Sequence, residues 1–227
     1  YHLKNNTYGE TVPDILSVST FNRKLKEKIL SDNFVEIDIV HHFMAVVSNI
    51  CKLRNFPNIS YIPKFINNAD KIYSDMMNFF NCDFDTVKRK FSDCTLLKEN
   101  HNGPLFYTKI VQELHLLNDL FTKNNPELKQ QLQQYKVRDD TLASVMFRNT
   151  YWTNMSVLQL IVKDILRQLV YVMYNFLLEN NYIKDNHVYF VGDGLYIERK
   201  YFTPDLLDKL QKHIKLKMNY DIILHCK

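Results

Sequence analysis

The sequence predicts a helix-rich α+β fold, a small antiparallel sheet covered by many helices. Three observations carry this. "FVEIDIV" (Phe34 to Val40) alternates, with Val35, Ile37 and Ile39 on one face and Phe34, Glu36, Asp38 and Val40 on the other. "VYFVGDGLYIERK" (Val188 to Lys200) is two apolar and aromatic runs broken at Gly-Asp-Gly, and two of the chain's 4 glycines stand there. Glycine permits a tight turn and removes side-chain bulk, so the stretch predicts a hairpin with Asp193 at its tip. Between these strands, the apolar residues recur at helical spacing.

The elements follow in order. After the Asp38 strand, Met44, Val47 and Cys51 fall on one helical stripe. In "IPKFINNADKIYSDMMNFF", Pro63 is a start signal, and Ile66, Ala69, Ile72 and Met76 form the next stripe. "DTVKRKF" opens another helix with Asp85 as its expected cap. Pro104 begins a stripe through Ile110, Val111, Leu114, Leu117 and Phe121, and "NNPELKQQLQQY" is an exposed helix or hairpin connection. The longest helix is expected from Met155 to Leu178, with a near-continuous apolar face that includes Leu158, Ile161, Val162, Leu169 and Met173. In "TPDLLDKLQKHIKLKM", Thr203 is the expected cap, with Pro204 at the first helical position. "NYDIILHC" closes as a strand.

Composition narrows the class. The 227 residues are 46% hydrophobic and 24% charged, with a formal net charge of +4. That is ample for a core, and it permits a nucleic-acid partner without requiring one. No apolar run is long enough to span a membrane, and no leader-like segment is seen. Cys51, Cys82, Cys94 and Cys226 lack a CxxC pair or metal-finger spacing and are expected to be reduced core thiols. That points to an intracellular, reducing compartment. The chain opens on Tyr1, which is consistent with a piece of a longer polypeptide.

Several stretches, in order, resemble viral and phage DNA polymerases distantly related to family A. "TVPDILSVSTFNRKLKEKIL" followed by "FVEIDIVHHFMAVVSNICK" resembles the entry to the palm, with Arg23 as the preceding arginine and Asp38 as the motif A aspartate. His41 and His42 stand at the polar-histidine segment. "VKRKFSDCTL" resembles the basic fingers helix, and "SVLQLIVKDIL" resembles a Leu-Gln-x-Ile-Glu helix that keeps Gln159. "VYFVGDGLYI" resembles motif C, and "MNYDIILHCK" the closing palm strand. The chain departs from the family in three places. No proline follows His42, Leu96 and Leu97 stand where the family has Asn-Gly, and Val162 replaces a glutamate.

The resemblance implies one polymerase-like domain over residues 1–227. Residues 1–60 and 150–227 would be palm-like, and 61–149 a fingers-like helical insertion. It implies two-metal nucleotidyl transfer with two Mg²⁺ or Mn²⁺ ions about 4 Å apart, on a DNA primer–template with a dNTP. Asp38 and Asp193 are the expected catalytic and metal-bridging residues. Glu36, about 6–7 Å from Asp38 along the same strand face, is an expected outer ligand. Lys88, Arg89 and Lys90 would neutralise triphosphate charge, Arg23 would contact the triphosphate or template backbone, and Gln159 would bond a base in the minor groove. Tyr151 and Trp152 have a stacking role or pack in the core. For each acid the ordinary alternative is a surface carboxylate, and for the cations a solvated charge run.

A second expectation comes from the departures. It is a catalytically inactive polymerase-like subunit, serving as a nucleic-acid-binding or scaffold component of a viral or mobile-element assembly, in the host cytoplasm or nucleus or in a virion. A third is a helical interaction protein. The separation of Asp38 from Asp193 discriminates best among these.

Overall fold

The computed structural model describes residues 28, 30, 32–56, 58–95, 97, 102–138, 155–184, 188–191 and 193–227. The class is α+β, with one small antiparallel sheet and a majority of helix. Two compact units divide the chain. One joins Tyr1–Asn49 with Lys163–Lys227, and the other is Ile50–Val162.

The discontinuous unit carries the sheet. Strand β1 (Phe34–Ile39) lies between β3 (Gly194–Glu198) and β4 (Leu224–Cys226), and β2 (Val188–Val191) pairs with β3, giving the order β2-β3-β1-β4. Every pairing is antiparallel. The alternation in "FVEIDIV" sets the faces: Val35, Ile37 and Ile39 are buried, while Phe34, Glu36 and Asp38 are half-buried. Register extends the dry face across Leu195 and Ile197 on β3 to Phe190 on β2. Tyr171 and Tyr174 of the long helix pack their rings against Phe190. That helix, Val157–Glu179, is the longest among the described residues; its last part belongs to this unit, and Phe176 meets His213 of the helix Leu206–Met218.

Of the two uses expected of glycine here, a tight turn and the removal of side-chain bulk, Gly194 serves the second. It sits in β3, paired with Asp38, and a Cβ built on it would lie 2.4 Å from the Ile37 carbonyl oxygen. Clearance between strands, rather than turn formation, requires glycine here. Gly194→Ala must push β3 off β1 and is expected to cost about 1–3 kcal/mol in a urea unfolding titration. Gly192 lies outside the described residues.

In chain order the helices are α1 (His42–Arg54), α2 (Ile62–Phe65), α3 (Ala69–Phe80), α4 (Phe84–Thr95), α5 (Leu105–Asn124), α6 (Pro126–Arg138), α7 (Val157–Glu179) and α8 (Leu206–Met218). A 3₁₀ turn, Ile66–Asn68, joins α2 to α3. The unit division falls inside α1 and inside α7. The helical unit is built on a buried aromatic cluster. Phe65 stacks on Phe91 at 4.9 Å, and Tyr73 and Tyr107 also pack on Phe91. Each such ring contributes roughly 2–3 kcal/mol by burial.

A chain with so few glycines ends its helices on asparagine. Asn55, Asn81, Asn181 and Asn219 all take left-handed backbone, with φ of 48°, 47°, 58° and 58°. Asparagine tolerates that region better than other non-glycine residues. Leu97, with φ of 54°, is the costly exception, just beyond α4 and where the resemblance would place Asn-Gly.

Two expected caps are corrected. Asp83, not Asp85, caps α4: its Oδ1 accepts the Thr86 N–H at 2.8 Å, because the helix begins at Phe84. Helix α8 begins at Leu206, whose N–H is taken by the Thr203 carbonyl at 3.0 Å, so Thr203 and Pro204 form a preceding turn. The last strand is also shorter than expected, only Leu224–Cys226. None of the four cysteines is bridged. Cys51 and Cys94 are core thiols as expected, but Cys82 is half-buried and Cys226 exposed on the edge strand. Among the described residues no helix is long and apolar enough to cross a membrane.

Candidate functional site

Asp38 and Asp193 meet on the polar face of the sheet. Asp38 pairs with Gly194 on β3 and with His225 on β4, and Asp193 immediately precedes Gly194. Because Gly194 has no side chain and lets the strands approach, the Asp193 carboxyl comes within hydrogen-bonding reach of Asp38. Glu36 is one strand repeat away on the same face, opposite Tyr196. Three of the expected acids therefore share one surface.

Basic side chains complete the cluster. His42, at the start of α1, places Nδ1 2.5 Å from Asp193 Oδ2. Lys227 places Nζ 2.6 Å from Asp38 Oδ2, and His225 Nε2 lies 3.4 Å from the same oxygen. Lys227 is held by its backbone: its N–H donates to the Glu36 carbonyl at 3.0 Å, and its carbonyl accepts the Glu36 N–H at 3.2 Å. It sits opposite Glu36 and diagonal to Asp38, the usual reach for a long side chain. Asn49 anchors the segment leading into β4, donating to the Asp221 carbonyl at 2.9 Å and accepting the Asp221 N–H at 2.7 Å. Gln211 of α8 accepts the Leu224 N–H at 2.9 Å.

Burial pushes the Asp193 carboxyl up. The hydrogen bond and charge of His42 act against it, as do hydrogen bonds from Asp38 and its own backbone. They prevail and hold Asp193 below the usual carboxylate range. Each of the two acids has a basic neighbour, Lys227 at Asp38 and His42 at Asp193.

The other expected residues belong to the helical unit or lie outside the described residues. Lys88, Arg89 and Lys90 are consecutive, exposed residues of α4 in the helical unit. Lys90 stands 4.6 Å over the Phe80 ring, and Arg89 donates to the Thr86 hydroxyl at 3.2 Å. Arg23, Tyr151 and Trp152 lie outside the described residues.

Gln159 is buried at the start of α7, and its amide oxygen accepts the Ser156 N–H at 2.8 Å. The Ser156 hydroxyl accepts the Gln159 N–H at 3.2 Å in return, forming a reciprocal capping box. Gln159 thus closes a helix end. Gln159→Ala is expected to lower stability by about 1 kcal/mol, read as a shift in the thermal midpoint.

From the sequence His42 stands only at the polar-histidine segment, and nothing there singles out His225 or Lys227. The signal for the last two is the alternation His225, Lys227 in "LHCK", which becomes meaningful only once β4 is placed beside β1.

The donors present meet the minimum for two-ion chemistry, two carboxylates from different strands in mutual reach. Among the described residues no group of three or more His, Cys, Asp and Glu is arranged to hold a metal ion. Comparison with protein-family models, curated proteins and solved structures finds no match to this chain.

Proposed function

We propose that the sheet face bearing Asp38 and Asp193 performs two-metal nucleotidyl transfer on a DNA primer–template, in an intracellular, reducing setting. The observation that carries the reading is the approach of these two carboxylates on adjacent strands, at the two positions the resemblance assigns to motifs A and C. Divalent ions bound there supply activation of the primer 3′-hydroxyl and charge neutralisation on the triphosphate. The chain's own residues do the rest. Asp38 and Asp193 hold negative charge rigidly on strand ends, with Glu36 as an outer donor. His42 orients Asp193 through its Nδ1 contact. Arg23 is offered to the triphosphate or template backbone.

A second reading is favoured by a specific observation. Each carboxylate already has a basic partner, Lys227 on Asp38 and His42 on Asp193. A polymerase-like subunit that has given up catalysis would keep its sheet together in this way, serving as a nucleic-acid-binding or scaffold part of a larger assembly.

Primer extension in Mg²⁺ by wild type and by Asp38→Asn separates the two. Extension by wild type alone supports the enzyme. Extension by neither protein, with salt-dependent DNA binding retained by both, supports the scaffold.

A further inference from the structure

We propose that Lys227 is a resident counter-ion of the carboxylate pair, which a divalent cation must displace in order to bind. The proposal rests on the two-metal reading and concerns how that site is loaded. Crowding two carboxyl groups on neighbouring strand ends is unfavourable unless positive charge lies between or beside them. Lys227 supplies it at 2.6 Å from Asp38, and the side chain of Asp38 is only 16% exposed, so the charge is poorly replaced by solvent.

The attachment suits displacement. The Lys227 backbone is fixed by its paired bonds to Glu36, while its side chain is 43% exposed on a flexible four-carbon stem. The ammonium can leave Asp38 without disturbing β4. His225, 3.4 Å from the same oxygen, stands beside the contact on the same strand. A metal ion and an ammonium a few ångströms apart compete for one carboxylate oxygen, and their mutual repulsion weakens metal binding. The site therefore takes up metal less readily than its carboxylates alone would, and stays charge-balanced without it.

The test is a Mn²⁺ titration followed by electron paramagnetic resonance of the free ion, so that no catalytic activity is needed. The full chain is compared with Lys227→Met, Lys227→Gln, Lys227→Arg and Asp38→Asn, each checked for a native thermal transition. Lys227→Met and Lys227→Gln are expected to bind Mn²⁺ about tenfold more tightly, the order of effect for removing one nearby charge at partial burial. Lys227→Arg should match wild type, and Asp38→Asn should lose the site. Equal or weaker binding by both neutral variants, with Asp38-dependent binding intact, overturns the counter-ion role and leaves the two-metal reading standing. Absence of Asp38-dependent Mn²⁺ binding in every protein, the neutral variants included, overturns both.

Discussion

If the proposed two-metal transfer operates on this sheet face, Asp193→Asn is expected to leave the protein folded and to lower Mg²⁺-dependent primer extension by about three orders of magnitude or more. The loss corresponds to the several kcal/mol of transition-state stabilisation that metal-ion catalysis supplies. The amide is the same size as the carboxylate and still reaches His42, so packing is unchanged. It cannot carry the charge that would hold a second ion against the repulsion of the first.

The stability cost should be small, roughly 1 kcal/mol at most, because the His42–Asp193 contact is partly open to solvent, with side chains 48% and 27% exposed. Its pH dependence has a definite sign. Asp193 is held below its ordinary value of 3.8 in the folded protein. Such a group stabilises the native state above the unfolded pKa, and the contribution is lost as pH falls through the folded pKa. Unfolding of wild type and Asp193→Asn should therefore differ at neutral pH and converge in acid well below 3.8. A gap that persists there would assign the difference to packing. Extension by both proteins at neutral pH would remove Asp193 from the metal site.

Parts of this site are legible in the residues because they depend on local period. The alternation around Asp38 follows from the two-residue repeat of a strand, and the break at Gly-Asp-Gly marks the hairpin. The long apolar stripe marks α7. These are contests between near neighbours in the chain, and sequence records them directly. What it records poorly is register between distant strands. Lys227 reaches Asp38 only because β4 lies on the far side of β1 from β3, in line with Glu36.

Cap positions fail for a related reason. Asp83 and Asp85 both precede the α4 stripe, and Asp83 prevails because its carboxylate is three residues from the Thr86 N–H. Gln159 looks like a polar group free to meet a base, yet Ser156 three residues earlier makes it half of a capping box. The Ser-x-x-Gln spacing was visible; its meaning depended on where α7 begins.

The largest effect on stability is expected at Glu113, which no sequence pattern singled out because it stands among the apolar positions of α5. Its side chain is buried, and its carboxylate accepts backbone N–H groups from Ser60, Tyr61 and Ile62 at 2.7–3.0 Å. These are donors at the start of the α2 run, which otherwise lacks a side-chain cap. The carboxylate therefore joins α5 to the entry of α2 through charge-assisted bonds at a helix N-terminus, where negative charge is favoured.

Glu113→Ala strands those donors and opens a cavity. Each unsatisfied buried donor costs about 1–3 kcal/mol, and Ile62 is fully buried, so a total loss of about 3–5 kcal/mol is expected. Glu113→Gln keeps one acceptor but turns an NH₂ toward a backbone N–H, and should fall between the two. Urea unfolding measures both variants. A second readout lies in Cys51, whose thiol is pushed up to about 12 by burial and, behind it, by the charge of Glu113. Glu113→Gln should lower that thiol's pKa and speed its alkylation under native conditions, while burial still keeps it well above an exposed cysteine. A change of less than about 1 kcal/mol in Glu113→Ala, with Cys51 reactivity unaltered, would mean that water replaces the carboxylate at the α2 entry and that the helical unit is held by its aromatic cluster alone.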